Sequence, residues 1–281
     1  MSRNNEIFNQ DQPNVEIPAQ QTRAQASQEL GFDIPVETVP LPSQGLVYPS
    51  GHPLYMKTTV DIRAMTAREE DILTSRALIK NGTLISALIN SCVTNKDIDA
   101  KTLISGDRNA IMTAIRITGY GADYKADVTC QECFTKQSKS FNLSELPIKT
   151  LTVEPSASGE NLFICMLPVS QKEVKVRFPI GQDEEEATII AARKKKQGLQ
   201  VDNIITDRLM LAIVEVAGIR DRMQINKFVR NMPARDSLTI RKFLDDNEPT
   251  VSMSSSFICD YCDHSEEMAL PMGANFFWPQ A

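Results

Sequence analysis

Apolar residues are sparse at the start of the chain and periodic after it. Residues 1–40 carry Phe8, Ile17, Phe32 and Ile34 singly among Gln, Asn, Pro and Ala. Such a segment buries too little apolar surface to offset its ordering entropy, which predicts a flexible N-terminal arm that is either a loose tail or orders on a partner. The folded part is expected from Leu41, where LPSQGLVYPSGHPLY, punctuated by Pro42, Gly45, Pro49, Gly51 and Pro53, describes a turn-rich lead-in. Val60 and Ile62 alternate as a strand over 58–64. Thr66-Ala67-Arg68-Glu69 has capping-box spacing and predicts a helix that Gly82 stops. Ile85, Leu88, Ile89 and Cys92 fall on one face of a second helix. A third runs from about Asp107 to Thr118, with Ile111, Ala114 and Ile115 inward and Gly119 as its stop. A strand-like run then enters VTCQECFTKQSKSFNL.

The second half repeats this plan. Val174, Val176 and Phe178 alternate, and GQDEEEATIIAARKKKQG reads as a helix. Residues 204–217 read as one apolar helix closed by Gly218, and a further helix spans about Ala234 to Asp246. Asp107 precedes Cys130 by 23 residues, and Asp236 precedes Cys259 by 23. At that offset of 129, Ile111 falls on Ile240, Ile115 on Leu244 and Val128 on Phe257. Upstream, an offset of 114 sets Ile62-Arg63 on Val176-Arg177 and Glu69 on Asp183. The expected fold class is therefore α+β: two related helical halves, each with a short strand lead-in and a CxxC β-hairpin. The boundaries drawn from this are an arm over 1–40, a first half over 41–149 and a second over 150–281.

Composition narrows the function. A hydrophobic content of 42% and a charged content of 23% are those of an ordinary globular chain. The net charge of −6 argues against broad binding to DNA or to an anionic membrane. The basic run Arg193 to Lys196 ends a helix that opens on Asp183 to Glu186, so the helix dipole accounts for both clusters. No run approaches the roughly 20 apolar residues of a membrane span, and the N-terminus lacks a secretory h-region. Synthesis in a reducing cytoplasm follows as the expectation, and six cysteines there favour metal ligation or burial over disulfides.

Two pairs, Cys130-Gln-Glu-Cys133 and Cys259-Asp-Tyr-Cys262, each match a zinc knuckle. Four thiolates complete a tetrahedral structural site and leave no position open for water, so one structural zinc and no catalysis are expected. The pairs are separated by 125 residues, far more than an ordinary ribbon allows. Two halves packed about a pseudo-twofold axis would bring their hairpins together and join them as a split zinc ribbon. His264 is read as a loop residue, although it stands close enough to replace a cysteine. Cys92 and Cys165 read as core.

Little else signals chemistry. Two histidines, His52 and His264, lie far apart, and no phosphate-binding glycine loop is present. Zinc ribbons also occur in nucleic-acid machinery, which makes a nucleic-acid-binding factor the chief rival, although Lys136 and Lys139 are the only cations near the knuckles. A zinc hydrolase would need an open coordination position. Phe276, Phe277 and Trp278 form an aromatic cluster near the C-terminus that either binds a partner or folds into the core.

LPSQGLVYPSGHPLY followed by TAREEDILTSRALIK, with the second hairpin ending in ALPMGANFFWP, resembles baseplate hub proteins of contractile-tailed phages of the T-even type. The resemblance covers roughly residues 41–281 and rests on the LPSxGxxY and FFWP elements. It implies a non-enzymatic part in building the baseplate hub, assembly in the host cytoplasm, and other tail proteins as partners. Both a place in the virion tail and a transient chaperone role are compatible with it.

Overall fold

A computed structural model of the chain describes residues 34–196, 203–270 and 276–277. Most of the expected arm, 1–33, and Trp278 lie outside the described residues. The described residues form an α+β fold of eight helices and five small antiparallel sheets. No helix among them is long and apolar enough to cross a membrane.

The first strand, β1 (Val36–Pro40), pairs antiparallel with β2 (Thr59–Arg63), setting Val39 opposite Val60. The apolar pattern placed β1 in the arm because only Val39 of its five residues is buried. Between the strands the 41–58 loop turns on Gly45 at φ 71°, where a Cβ would sit 2.4 Å from the Leu54 carbonyl oxygen. Helices α1 (Ala67–Thr74) and α2 (Arg76–Asn81) replace the single expected helix. Ser75 breaks it with an extended ψ of 104°, while Gly82 ends α2 in left-handed backbone as expected. Ser is a weak helix former that also suits a cap, so it can end one helix and start the next. Helices α3 (Leu84–Cys92) and α4 (Ser105–Tyr120) bury Leu88, Ile89, Cys92, Ile111 and Ile115. Then follow the hairpin β3 (Asp123–Thr129) and β4 (Lys136–Asn142), and the short β5 (Ile148–Lys149).

Strands β6 (Phe163–Met166) and β7 (Glu173–Val176) lead to α5 (Gly181–Lys196) and α6 (Ile204–Ala212). The expected helix over 204–217 stops at Ala212, and Ile213–Val216 become β8, which completes the sheet β6-β7-β8. Ile213, Val214 and Val216 are β-branched, and β7 offers an edge to pair with. Helix α7 (Arg222–Arg230), not foreseen from the pattern, is capped by Asp221 and buries Ile225 and Val229. Helix α8 (Ala234–Asn247), β9 (Thr250–Val251) and the hairpin β10 (Ser254–Ile258) and β11 (Ser265–Ala269) follow. Strand β9 pairs with β5 and lies against α4. Gly106 permits this approach, since a Cβ there would overlap the Pro249 carbonyl.

Polar contacts recur at both sequence offsets. Arg63 pairs with Glu69 at 2.5 Å, and Glu69 accepts the Thr66 amide. Arg177 pairs with Asp183 at 2.6 Å, and Asp183 accepts the Ile180 amide. Buried Asp107, third residue of α4, accepts the Ser43 amide and the hydroxyls of Ser43 and Tyr48. Buried Asp236, third residue of α8, accepts the amides of Val169 and Ser170. Both acceptor-facing turns contain a glutamine in left-handed backbone, Gln44 at φ 54° and Gln171 at φ 52°.

Candidate metal centre

Each cysteine pair occupies the turn of a hairpin, and the two turns fold alike. In the first, the Cys130 amide donates to the Thr135 carbonyl at 3.1 Å and the Phe134 amide to the Cys130 carbonyl at 3.0 Å. In the second, the Cys259 amide donates to the His264 carbonyl at 2.9 Å and the Asp263 amide to the Cys259 carbonyl at 3.1 Å. The residue after each second cysteine is left-handed, Phe134 at φ 56° and Asp263 at φ 54°. These turns aim both thiols of a pair to one side.

The hairpins meet through the sulfurs. Cys130 Sγ lies 3.7 Å from Cys262 Sγ, and Cys133 Sγ lies 3.6 Å from Cys259 Sγ. All four fall within 4.8 Å of one another. A disulfide needs about 2.05 Å, and all six cysteines are free. Four sulfurs about 2.3 Å from a central tetrahedral ion stand about 3.8 Å apart along each edge. The two close pairs match that edge, so the four cysteines can hold one metal ion. His264 contributes its backbone carbonyl rather than its ring, and His52 is engaged elsewhere, stacked on Tyr48 and bonded to Thr102.

The surroundings act unequally on the sulfurs. Burial acts to raise the Cys259 thiol, but the amides of Tyr261 and Cys262 and the Gln137 side chain outweigh it and bring it to about 6. Gln137 Nε2 donates to Cys259 Sγ at 3.2 Å, and its Oε1 accepts the Asp260 amide at 3.1 Å. A hydrogen bond at His264 lowers the Cys262 thiol, yet burial and the neighbouring sulfurs push it up to about 12. One sulfur ionises readily and its neighbour resists, because negative charge crowds the cluster. A divalent cation at the centre resolves that conflict by stabilising every thiolate at once.

Gln137 went unnoticed in the sequence, where a glutamine on an alternating strand has no metal-site signature. Its buried position on β4, facing Cys259, is visible only once the two hairpins are side by side. Cys92 and Cys165 are buried in the core, and burial raises both thiols, Cys92 to about 11. Of the C-terminal aromatics, Trp278 lies outside the described residues and the other two pack inward. Phe276 and Phe277 are buried, Phe276 lies edge-on to Tyr124 at 5.5 Å, and Arg116 Nε donates to the Phe276 carbonyl at 2.7 Å.

A family model described as "T4 bacteriophage base plate protein" matches residues 46–278. No curated protein and no solved structure matches.

Proposed function

The chain belongs to the T4 bacteriophage baseplate protein family, and from that premise we propose that it is a non-enzymatic structural or assembly component of the baseplate hub, held together by one structural zinc. The family match over most of the chain carries the baseplate reading. The donor chemistry supports zinc: four sulfurs, two pairs at a tetrahedral edge length, and one thiol already drawn down toward ionisation. Bound there, zinc would supply a cross-link between distant parts of the chain, with Cys130, Cys133, Cys259 and Cys262 as its ligands. Gln137 and the Tyr261 amide orient the Cys259 sulfur and share its charge.

The recurrence of ion pair, buried carboxylate and knuckle geometry at offsets of 114 and 129 supports two related halves meeting near residue 150, each giving one knuckle to a split zinc ribbon. The partners in this reading are other tail proteins, assembly takes place in the host cytoplasm, and the place of work is the virion tail. The test is quantitative mass spectrometry of purified virions, with particles from a strain lacking the gene as control. A fixed small copy number per particle is the expected result. Absence from mature virions, with baseplates failing to form in the deletion strain, would convert the reading to a transient assembly chaperone. Normal tails in that strain would overturn it.

A further inference from the structure

The hairpin turns that carry the cysteines also carry the only two exposed aromatic side chains among the described residues. Phe134 is 76% exposed and Tyr261 70%, with Ile258 beside them at 60%. Phe134 follows Cys133, Tyr261 precedes Cys262 and Ile258 precedes Cys259, so all three flank one cluster of sulfurs lying within 4.8 Å. Neither aromatic supports the fold. Phe134 holds left-handed backbone at φ 56°, a strained conformation for a bulky residue, and gains no burial in return. Asp263, at the matching place of the other knuckle, is a residue type that adopts this backbone more readily.

The surface is stiff and its rim is acidic. Lys139 bridges from β4 to Asp260 of the other hairpin, and Gln137 holds the Asp260 amide, so the two tips are fixed to each other. Neither turn contains a lysine or arginine, and Lys136 and Lys139, on β4 beyond the first turn, are both committed, to Asp127 and Asp260. Glu132 and Asp263 face solvent without an ion pair, and the Glu266 carboxylate beside them is bonded to the Gln131 amide. Rigid aromatics anchored in a charged rim are the usual composition of a protein-binding hot spot.

We propose that the paired knuckle tips dock a basic tail protein, one presenting an apolar pocket for Phe134 and Tyr261 bordered by lysine or arginine. This rests on the baseplate reading and names the surface through which it acts. A second copy of the chain would set acid against acid, and a nucleic acid would set phosphate against Glu132 and Asp263, so charge selects against both.

The experiment uses the full metal-loaded chain and, one at a time, the purified tail proteins encoded by the same phage. Affinity is measured at low and high salt for the wild type and for Phe134→Ser combined with Tyr261→Ser. A control, Ile164→Ser with Met166→Ser, removes two other exposed apolar groups, from β6. The wild type should bind at least one basic tail protein, more weakly at high salt. The tip variant should lose about 30-fold or more in affinity, with metal content and circular dichroism unchanged, and the control should bind as the wild type does. Should the tip variant fold poorly, Phe134→Gly relieves the backbone strain and is expected to show a loss in the same direction. Wild-type affinity in the tip variants would overturn the surface while leaving the baseplate reading intact. A chain that binds none of the tail proteins would sink both. Self-association, or binding to an oligonucleotide, that the tip variant abolishes would assign the surface to the wrong occupant and end the proposal.

Discussion

Glu248 ends α8 inside a cleft lined by Pro179, Leu209, Leu244, Arg208 and Arg241. Burial pushes its carboxyl up to about 7, although Arg208 pulls the other way. A raised carboxylate works against the fold as pH rises. Between its unfolded value near 4.3 and its folded value the unfolded chain ionises first, so stability falls across that window and stays low above it. The upper bound is roughly 4 kcal/mol, and partial exposure reduces it. Glu248→Gln should therefore match the wild type near pH 4 and be more stable at pH 8, by about 1–2 kcal/mol. Urea denaturation at the two pH values checks this, and parallel stability profiles would discard the idea. Arg116 makes the opposite case, a buried guanidinium that lies over the Tyr120 ring and donates to three carbonyls, of Gly121, Asp123 and Phe276. Arg116→Leu leaves three acceptors without donors and is expected to cost about 3 kcal/mol or more. It should also free the C-terminal segment, seen as faster proteolysis after Phe276. An unchanged melting temperature would show that water replaces the guanidinium without loss.

Among the elements, those with a strong helical stripe were legible in the sequence. Leu88, Ile89 and Cys92, then Ile111 and Ile115, announced α3 and α4 through their spacing and are all buried. Elements decided by partners were not. Strand β1 shows one buried residue in five, and β8 is a strand because β7 lies beside it. The cysteines were legible by type and offset, whereas Gln137 and the exposure of Phe134 depend on how two hairpins pack. The twin carboxylates at the third position of α4 and α8 stand between these cases, since the offset marks them but only the structure shows what they hold. Burial pushes Asp107 up, whereas at Asp236 the amides of Val169 and Ser170 outweigh burial and hold the carboxyl down. Asp236 thus adds stability above its unfolded value near 3.9 that is lost as pH falls below it, and Asp107 acts in the reverse sense. Their asparagine variants should differ accordingly. At Asp107 two of the three donors are hydroxyls, which can rotate to accept from an amide NH₂, so Asp107→Asn should cost about 1 kcal/mol. At Asp236 both donors are fixed amides, and Asp236→Asn turns an NH₂ toward one of them, for about 2–3 kcal/mol. Equal losses, or the reverse order, in equilibrium unfolding would refute this assignment.

For the molecule as a whole, a metal held by the four cysteines would decide whether two distant hairpins behave as one. The cross-hairpin pairs Cys130–Cys262 and Cys133–Cys259 are 132 and 126 residues apart, so a bound ion closes a very long loop of chain. Closing such a loop restricts the unfolded state more than a local clasp does, and structural zinc sites contribute on the order of 10 kcal/mol in small domains. Besides the sulfurs, the Lys139–Asp260 pair, the Gln137 bonds and the Gln131–Glu266 bond join the two hairpins. Metal analysis should therefore find one zinc per chain, with sulfur alone in the first coordination shell by X-ray absorption. Chelation, or Cys259→Ser, should release it and lower the melting temperature by 10 °C or more, on the order of several kcal/mol. Protease sensitivity should rise at both knuckles together, because each sulfur pair holds the other in place. Cys92→Ser serves as the comparison: it lowers stability through the core and leaves the metal bound, because Cys92 is buried outside the four-sulfur group. A chelated protein in which only one hairpin loosens would mean that the knuckles are independent, and the single shared ion would have to be abandoned.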